Sequence, residues 1–292
     1  MTRYESKSAR GAAAAALAAT LLALSPAHAQ EEVVVAPLIV PPARAPRPDA
    51  VPLDEHTARL IGGNRFKVGI LALEYGITDY LSVGTDPPAW AIRSFAHVLV
   101  PNLHVKGMLL RSSHVEVSAR AAGYVMMLNH NGVSGNAYIV PLTLYAWVML
   151  AKPLWLHLEG SYNWAKASGT GDVSNTDVFG TVVQKTAQVG AMLELRLSRV
   201  VALLARGYWQ PWQTPIVFQG NGMIDPYTSV NVAIEAKPLS DHPIEGLAGV
   251  ALTWKYVGVV AGAGYGHYFV PGMNLALPYN GFVPEGSLWA VF

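Results

Sequence analysis

Downstream of about Asn64 the chain alternates apolar and polar residues with a period of two. Lys185 to Ser198 is the clearest stretch. Thr186, Gln188, Gly190, Met192, Glu194, Arg196 and Ser198 share one parity, and Ala187, Val189, Ala191, Leu193, Leu195 and Leu197 the other. A helical period of about 3.6 residues would mix these sets, whereas a strand gives each its own face. Ser229, Asn231, Ala233, Glu235 and Lys237 alternate in the same way with Val230, Val232, Ile234 and Ala236. So do His157, Glu159, Ser161 and Asn163 with Leu156, Leu158, Gly160 and Tyr162, and Glu116, Ser118 and Arg120 with Val115, Val117, Ala119 and Ala121. Such strands build either a soluble sandwich, apolar face inward, or a membrane barrel, apolar face to lipid and polar face to the lumen.

Length and composition favour the barrel. The predicted strands run about 10 to 16 residues, against about 5 to 6 in soluble sheets. Charged residues are only 13% of the chain and hydrophobic ones 52%, where globular chains carry about 25% charged. Yet the longest apolar run, Ala137 to Ala151, is interrupted by Pro141 and is too short for a spanning helix. A closed barrel is the other structure that satisfies every backbone group within lipid. Aromatics near the predicted strand ends (Tyr75, Tyr80, Trp147, Trp155, Tyr162, Trp164, Trp209, Trp212, Trp254, Tyr256) suit interfacial girdles. A net charge of +1 gives no sign of nucleic-acid binding.

The first residues read differently. Arg3, Lys7 and Arg10 precede an uncharged Ala/Leu run from Gly11 to Leu24 and then Ala27-His28-Ala29. This is the pattern of a signal peptide over 1–29, cleaved after Ala29. The absence of Cys excludes a lipoprotein anchor and disulfides. Residues 30–64 form a Pro-rich periplasmic or linker segment, with Pro37, Pro41, Pro42, Pro46, Pro48 and Pro52 favouring an extended spacer over sheet pairing. The barrel is expected over 65–292.

Two segments carry a resemblance. The closing Leu288-Trp289-Ala290-Val291-Phe292 resembles the C-terminal signal that outer-membrane proteins present to the barrel assembly machinery. Leu73-Glu74-Tyr75-Gly76-Ile77-Thr78-Asp79-Tyr80-Leu81-Ser82-Val83-Gly84-Thr85 resembles the strand–turn–strand segment common in poorly characterised, porin-like Gram-negative outer-membrane β-barrels. The resemblance implies an all-β, antiparallel up-and-down transmembrane barrel in the cell outer membrane, with membrane lipid and the assembly machinery as partners and Phe292 as the assembly signal. It says nothing about a substrate.

Strands are predicted over 65–76, 80–86, 102–111, 114–128, 137–151, 154–168, 182–198, 200–212, 228–238, 246–256, 257–269 and 286–292. Twelve is the best number, within ten to fourteen, and it is even, as single-chain bacterial barrels are. Tight turns are expected at 77–79, 111–113, 152–153 and 198–199, on the periplasmic side. Longer outer loops are expected at 86–101, 129–136, 169–181, 213–227 and 270–285. One inconsistency remains: a periplasmic turn at 77–79 places the N-terminus outside unless 50–64 hides another strand. The split within 246–269 also lacks a strong turn signal.

By parity the lumen receives Glu74, Glu116, Arg120, His157, Glu159, Glu194, Arg196, Arg206, Glu235, Lys237 and Lys255, with Tyr124, Asn163, Tyr208 and Gln210 higher up. Charges in a narrow interior survive by pairing. A charge network that narrows the barrel near its periplasmic end is therefore expected. The functional expectation is passive, porin-like passage of small polar solutes without strong ion selectivity. Its rival is a structural or adhesive barrel with partner-binding loops. A barrel-embedded hydrolase finds little support. His130 with Ser134 has no acidic residue close in sequence, and no Gly-x-Ser-x-Gly elbow occurs. There is no Cys and no His-Glu-x-x-His, so no metal or cofactor is called for. Gly262 to Gly266 lacks the Lys-Ser/Thr of a phosphate loop.

Overall fold

The alternating segments form strands, and the strands form one continuous antiparallel ladder. The structure is a computed structural model that describes residues 57–89, 100–130, 133–173, 176–225, 228–236 and 242–292. The expected signal peptide and most of the expected Pro-rich segment lie outside these residues. The chain opens with three short strands, β1 (Arg65–Gly69), β2 (Leu73–Thr78) and β3 (Leu81–Thr85). Five longer ones follow: β4 (Asn102–Arg111), β5 (Val115–His130), β6 (Val133–Ala151), β7 (Leu154–Val173) and β8 (Thr176–Arg196). Next come β9 (Val201–Gln213), β10 (Ile216–Asp225), β11 (Thr228–Ala236) and β12 (Ile244–Thr253). The last hairpin is β13 (Val257–Val270) with β14 (Leu275–Val291), and β14 closes the sheet on β1.

Fourteen strand segments make a closed barrel of twelve staves. β10 continues β9: the partners of β8 pass from Gln213 (opposite Thr186) to Val217 (opposite Val183), and the Thr214 amide bridges the join to the Lys185 carbonyl at 2.8 Å. β11 and β12 are likewise one stave, because β11 returns along β10 and β12 along β9. The expected number is twelve, but its composition differs in two places. The predicted strands 228–238 and 246–256 belong to a single stave. The predicted strand 65–76 is a hairpin, β1–β2, reversed at Ile70-Leu71-Ala72. That hairpin resolves the topological inconsistency, since Arg65 and Phe292 now lie at the same end as the turns 79–80, 112–114, 152–153, 197–200 and 254–256. No strand in 50–64 is needed.

The expected outer loops at 129–136, 169–181, 213–227 and 270–285 are mostly continued ladder. β7 and β8 pair without a break up to Val173 opposite Thr176, and their 20 and 21 residues exceed the roughly 9–11 that span a bilayer. Above the bilayer the outer face meets water, so polar residues are tolerated on both faces. The period-two signal fades there while the hydrogen-bond ladder persists.

Burial is inverted relative to a water-soluble protein. Val105, Leu144, Leu158, Val189, Leu193, Leu203, Val250 and Leu288 are exposed on the outer face, while Lys67, Lys106, Arg120, Glu194 and Glu245 are buried inside. A face of this kind is stable only against hydrocarbon. Tyr75, Trp209, Trp212, Trp254 and Tyr256 are exposed, as girdle residues must be. Trp147 and Trp155 were expected beside them but point into the lumen and are buried. They share the inward parity of Tyr145 and His157, and their function is internal.

Candidate functional site

The lumen is filled from three directions. At the turn end the chain before β1 folds inward. The Gly63 amide donates to Asp79 at 2.9 Å in the β2–β3 turn, and Gly62 crosses Gly76 so closely that a Cβ at Gly76 would meet its carbonyl oxygen. From there residues 61 to 57 run into the barrel. Thr57 and Ala58 are fully buried, and Lys106 Nζ donates to the Thr57 carbonyl at 2.6 Å. Arg59 stands 5.0 Å from the Trp147 ring and 5.4 Å from the Trp155 ring, with its Nε 3.4 Å from Glu116. The two indoles meet edge to face at 5.1 Å. Trp147 and Trp155 thus form an aromatic seat for a cation supplied by the N-terminal segment.

Beside this seat, Glu194 is completely buried between His157 Nε2 at 2.8 Å and Arg196 Nε at 2.9 Å. Arg196 in turn lies over Trp155 at 3.5 Å. Glu116 also takes Arg111 at 3.6 Å. On β9, the strand adjoining β8, Arg206 pairs with Glu285, at 2.6 Å through Nη1, and stands 3.9 Å from Glu245. Glu159 accepts from the Tyr208 hydroxyl at 2.9 Å. The Tyr208 ring lies flat over Gly190, where any Cβ would collide with it, so this glycine makes room for an inward-facing aromatic.

A second line of charge crosses higher up. Lys67 lies 3.6 Å from Glu74, Glu74 lies 3.3 Å from His104 Nε2, and His104 Nδ1 lies 3.1 Å from Asp86. Asp86 also accepts from Arg120 at 2.5 Å and from the Tyr124 hydroxyl. Arg120 continues to the Gly272 carbonyl at 3.0 Å. That carbonyl belongs to 271–274, the β13–β14 connection, which bends into the lumen with Gly272 at φ 78° and Asn274 at φ 52°. Asn274 donates to Thr143 Oγ1 at 2.9 Å, and its carbonyl accepts from Asn163. Met273 packs with Ala89, Val100, Ala122, Tyr124 and Ile139 in a buried apolar cluster. Residues 86–89 and 271–274 therefore cap the charged layer.

Burial pushes the Asp86 carboxyl up, but Arg120, His104 and Tyr124 outweigh it and hold the group at about 2. A depressed carboxyl stabilises the fold above its unfolded value near 3.8 and loses that contribution as pH falls through about 2. We expect a loss of order 2 kcal/mol between pH 5 and pH 2, removed in Asp86→Asn. Urea unfolding of both proteins across that range checks it, and parallel pH profiles would refute it.

Of the residues assigned to the lumen by parity, Glu74, Glu116, Arg120, His157, Glu159, Glu194, Arg196 and Arg206 are brought together in these clusters, as are Tyr124, Asn163 and Tyr208. Lys255 is a correction: it is exposed in the 254–256 turn, 4.8 Å over the Tyr256 ring. A strand over 246–256 would give Lys255 an inward parity, but β12 ends at Thr253 and the unmarked turn at 254–256 breaks that alternation. Glu235 is in β11, opposite Val217, with its side chain outside the described residues, as is all of Lys237. Parity within β4 also marks His104 and Lys106, alternating with Leu103 and Val105, and both are lumen residues beyond the predicted set. Arg59, Asp86 and Asn274 lie in no strand, so no periodicity could have found them. Ser134 Oγ bonds Thr170 at 2.9 Å, and the His130 side chain lies outside the described residues. Among the described residues no three His, Cys, Asp or Glu side chains gather as metal ligands.

No protein-family model and no characterised protein sequence matches the chain. Solved structures do. The translocator domain of the autotransporter NalP from Neisseria meningitidis matches with a TM-score of 0.42 at 10% identity, over 78% of this chain and 85% of that one. The Pseudomonas putida toluene transporter TodX matches with 0.42 at 11%, over 78% and 76%. The outer-membrane protease OmpT from Escherichia coli matches with 0.35 at 10%, over 79% and 94%. These proteins perform unlike tasks, and the likeness at this level carries no activity across. The protein is an outer-membrane β-barrel on the strength of its own closed sheet and apolar exterior.

Proposed function

We propose that this barrel is porin-like, passes small polar solutes through a charge-lined lumen, and rests closed. The observation that carries the reading is the manner of filling. About eight strands leave room only for side chains, and about 16–18 leave an open aqueous channel. Twelve staves fall between, and here the wall side chains are bridged by two inserted segments. Lys106, Glu116, Trp147 and Trp155 hold residues 57–59, while Arg120, Thr143 and Asn163 hold 272–274. Both segments are tethered by hydrogen bonds, ion pairs and packing, not by the ladder, so they can withdraw while the wall keeps its pairing. The lumen charges oppose one another in pairs, which disfavours strong ion selectivity. On this reading the protein is not an enzyme and needs no cofactor.

Planar-bilayer recording of the refolded full-length protein tests the reading. The parent should open rarely. Arg59→Ala, which removes two cation–π contacts and the Glu116 pair, should raise the open-to-closed ratio about tenfold, equivalent to about 1.4 kcal/mol. A parent and variant that both stay silent at every voltage would sink it. The structural or adhesive alternative is favoured by one feature, the β10–β11 ribbon, in which β11 pairs with β10 alone among the described residues. Silence in the bilayer would move the assignment to that alternative.

A further inference from the structure

Once the lumen charges have found partners, a neutral patch is left over. Ser161 and Asn163 on β7, Gln188 on β8 and Gln210 on β9 point inward, each more than nine-tenths buried. Ser161 Oγ, Asn163 Oδ1, Gln188 Oε1 and Gln210 Oε1 have no hydrogen-bond partner among the described residues. They adjoin one another: Ser161 is opposite Gln188, Asn163 opposite Thr186, and Gln210 lies beside Trp209, which is opposite Val189. Thr143, opposite Ser161, extends the patch onto β6. A buried polar atom without a partner costs about 1–3 kcal/mol. Four on neighbouring strands mark a surface built to meet something polar.

The chemistry of that something can be read from the atoms. Three of the four are amide carbonyls, which accept hydrogen bonds, and the fourth is a hydroxyl that does both. A carboxylate or phosphate group offers the three carbonyls only acceptors and cannot satisfy them. Charge gives the patch no sign of its own: Glu159 lies two residues from Ser161 on β7 and Arg206 four from Gln210 on β9, and both are engaged by the partners named above. A neutral solute with several hydroxyl groups satisfies every member. The protein already places a neutral polar group of its own at one end of the patch. Asn274, in a left-handed conformation that non-glycine residues rarely take, sets its side-chain amide on Thr143 and its backbone carbonyl on Asn163. The Tyr208 and Phe269 rings, 5.6 Å apart, supply an apolar flank of the kind that packs against the C–H face of a sugar ring.

We propose that Thr143, Ser161, Asn163, Gln188 and Gln210 form a binding site for a small neutral polyol or sugar, and that Asn274 occupies one end of it in the closed state. The site rests on the reading of the lumen as a solute path, and it names the class of solute. Arabinose is the probe and arabinonate its charged counterpart. Calorimetric titration of the refolded full-length protein is compared with Gln188→Leu and Ser161→Ala, whose folding is verified by heat-modifiable mobility. Arabinose should bind the parent and not arabinonate, and each variant should weaken binding about tenfold, the effect of leaving one buried hydrogen bond unmade. No arabinose binding to the parent, equal binding by the variants, or equal binding of arabinonate would each overturn the site. Channels without arabinose binding remove the site and leave the passage reading standing. Arabinose binding without channels removes the passage and leaves the site.

Discussion

Glu194→Ala is expected to destabilise the barrel by about 3–5 kcal/mol, the cost of stripping one partner from a buried charge pair. Glu194 is completely buried, and its two oxygens are divided between His157 and Arg196. Without it Arg196 keeps, among the described residues, only the Trp155 ring, and that ring also faces Arg59. Two guanidiniums would then share one aromatic seat with Glu116 as the nearest counter-ion that Arg59 touches. Glu194→Gln should cost less, because the amide oxygen still accepts one of the two hydrogen bonds. Urea unfolding in lipid vesicles, with refolding yield recorded, gives both numbers. A loss below about 1 kcal/mol for the alanine variant would mean that water screens the base of the lumen as it screens a surface pair, and the closed resting state would have to be abandoned.

Leu144→Arg tests the other face. Leu144 is 51% exposed on β6 between the buried Thr143 and Tyr145, and lies well inside a strand of 19 residues. At the bilayer midplane an arginine on the lipid face costs about 2–4 kcal/mol, and near the interfaces about 0–1. The same change on a water-facing surface would stay within about 0.5 kcal/mol. Vesicle unfolding should therefore show a loss of about 2–4 kcal/mol for Leu144→Arg and almost none for Leu144→Val. A neutral Leu144→Arg would contradict the lipid-facing assignment. Leu195, near the β8–β9 turn, is a weaker probe because it lies close to the interface. Nor is Gln188→Arg a benign lumen control, as an open channel would have made it. Gln188 is 2% exposed, so an arginine there would be a buried charge and not a solvated one.

The filling of the lumen depends on three residues that lie outside every strand. Arg59 carries the N-terminal segment onto the Trp147–Trp155 seat, Asp86 gathers His104, Arg120 and Tyr124, and Asn274 reaches Thr143 and Asn163. Each ties chain that is free of the ladder to side chains that the ladder holds rigid. An interior made in this way is tight without being covalently or topologically locked.

What the amino-acid order determined alone is the wall. Period-two alternation places Leu193 and Leu195 outward and Gln188 and Glu194 inward whatever the rest of the chain does, because successive side chains in a strand must point to opposite faces. The same rule assigned Arg120, His157, Glu159 and Arg206 to the lumen. It lost its hold where lipid stops enforcing it, in the ladder beyond the bilayer at 169–181 and 213–227, and at turns without Gly, Pro or Asn marks such as Ile70-Leu71-Ala72 and Trp254-Lys255-Tyr256. What only the tertiary structure decided is the interior. Whether inward charges line water or bury one another depends on distances across the barrel. Those are set by the closure of β14 on β1 and by the entry of 57–61 and 271–274, contacts between residues far apart in the chain that no local pattern encodes.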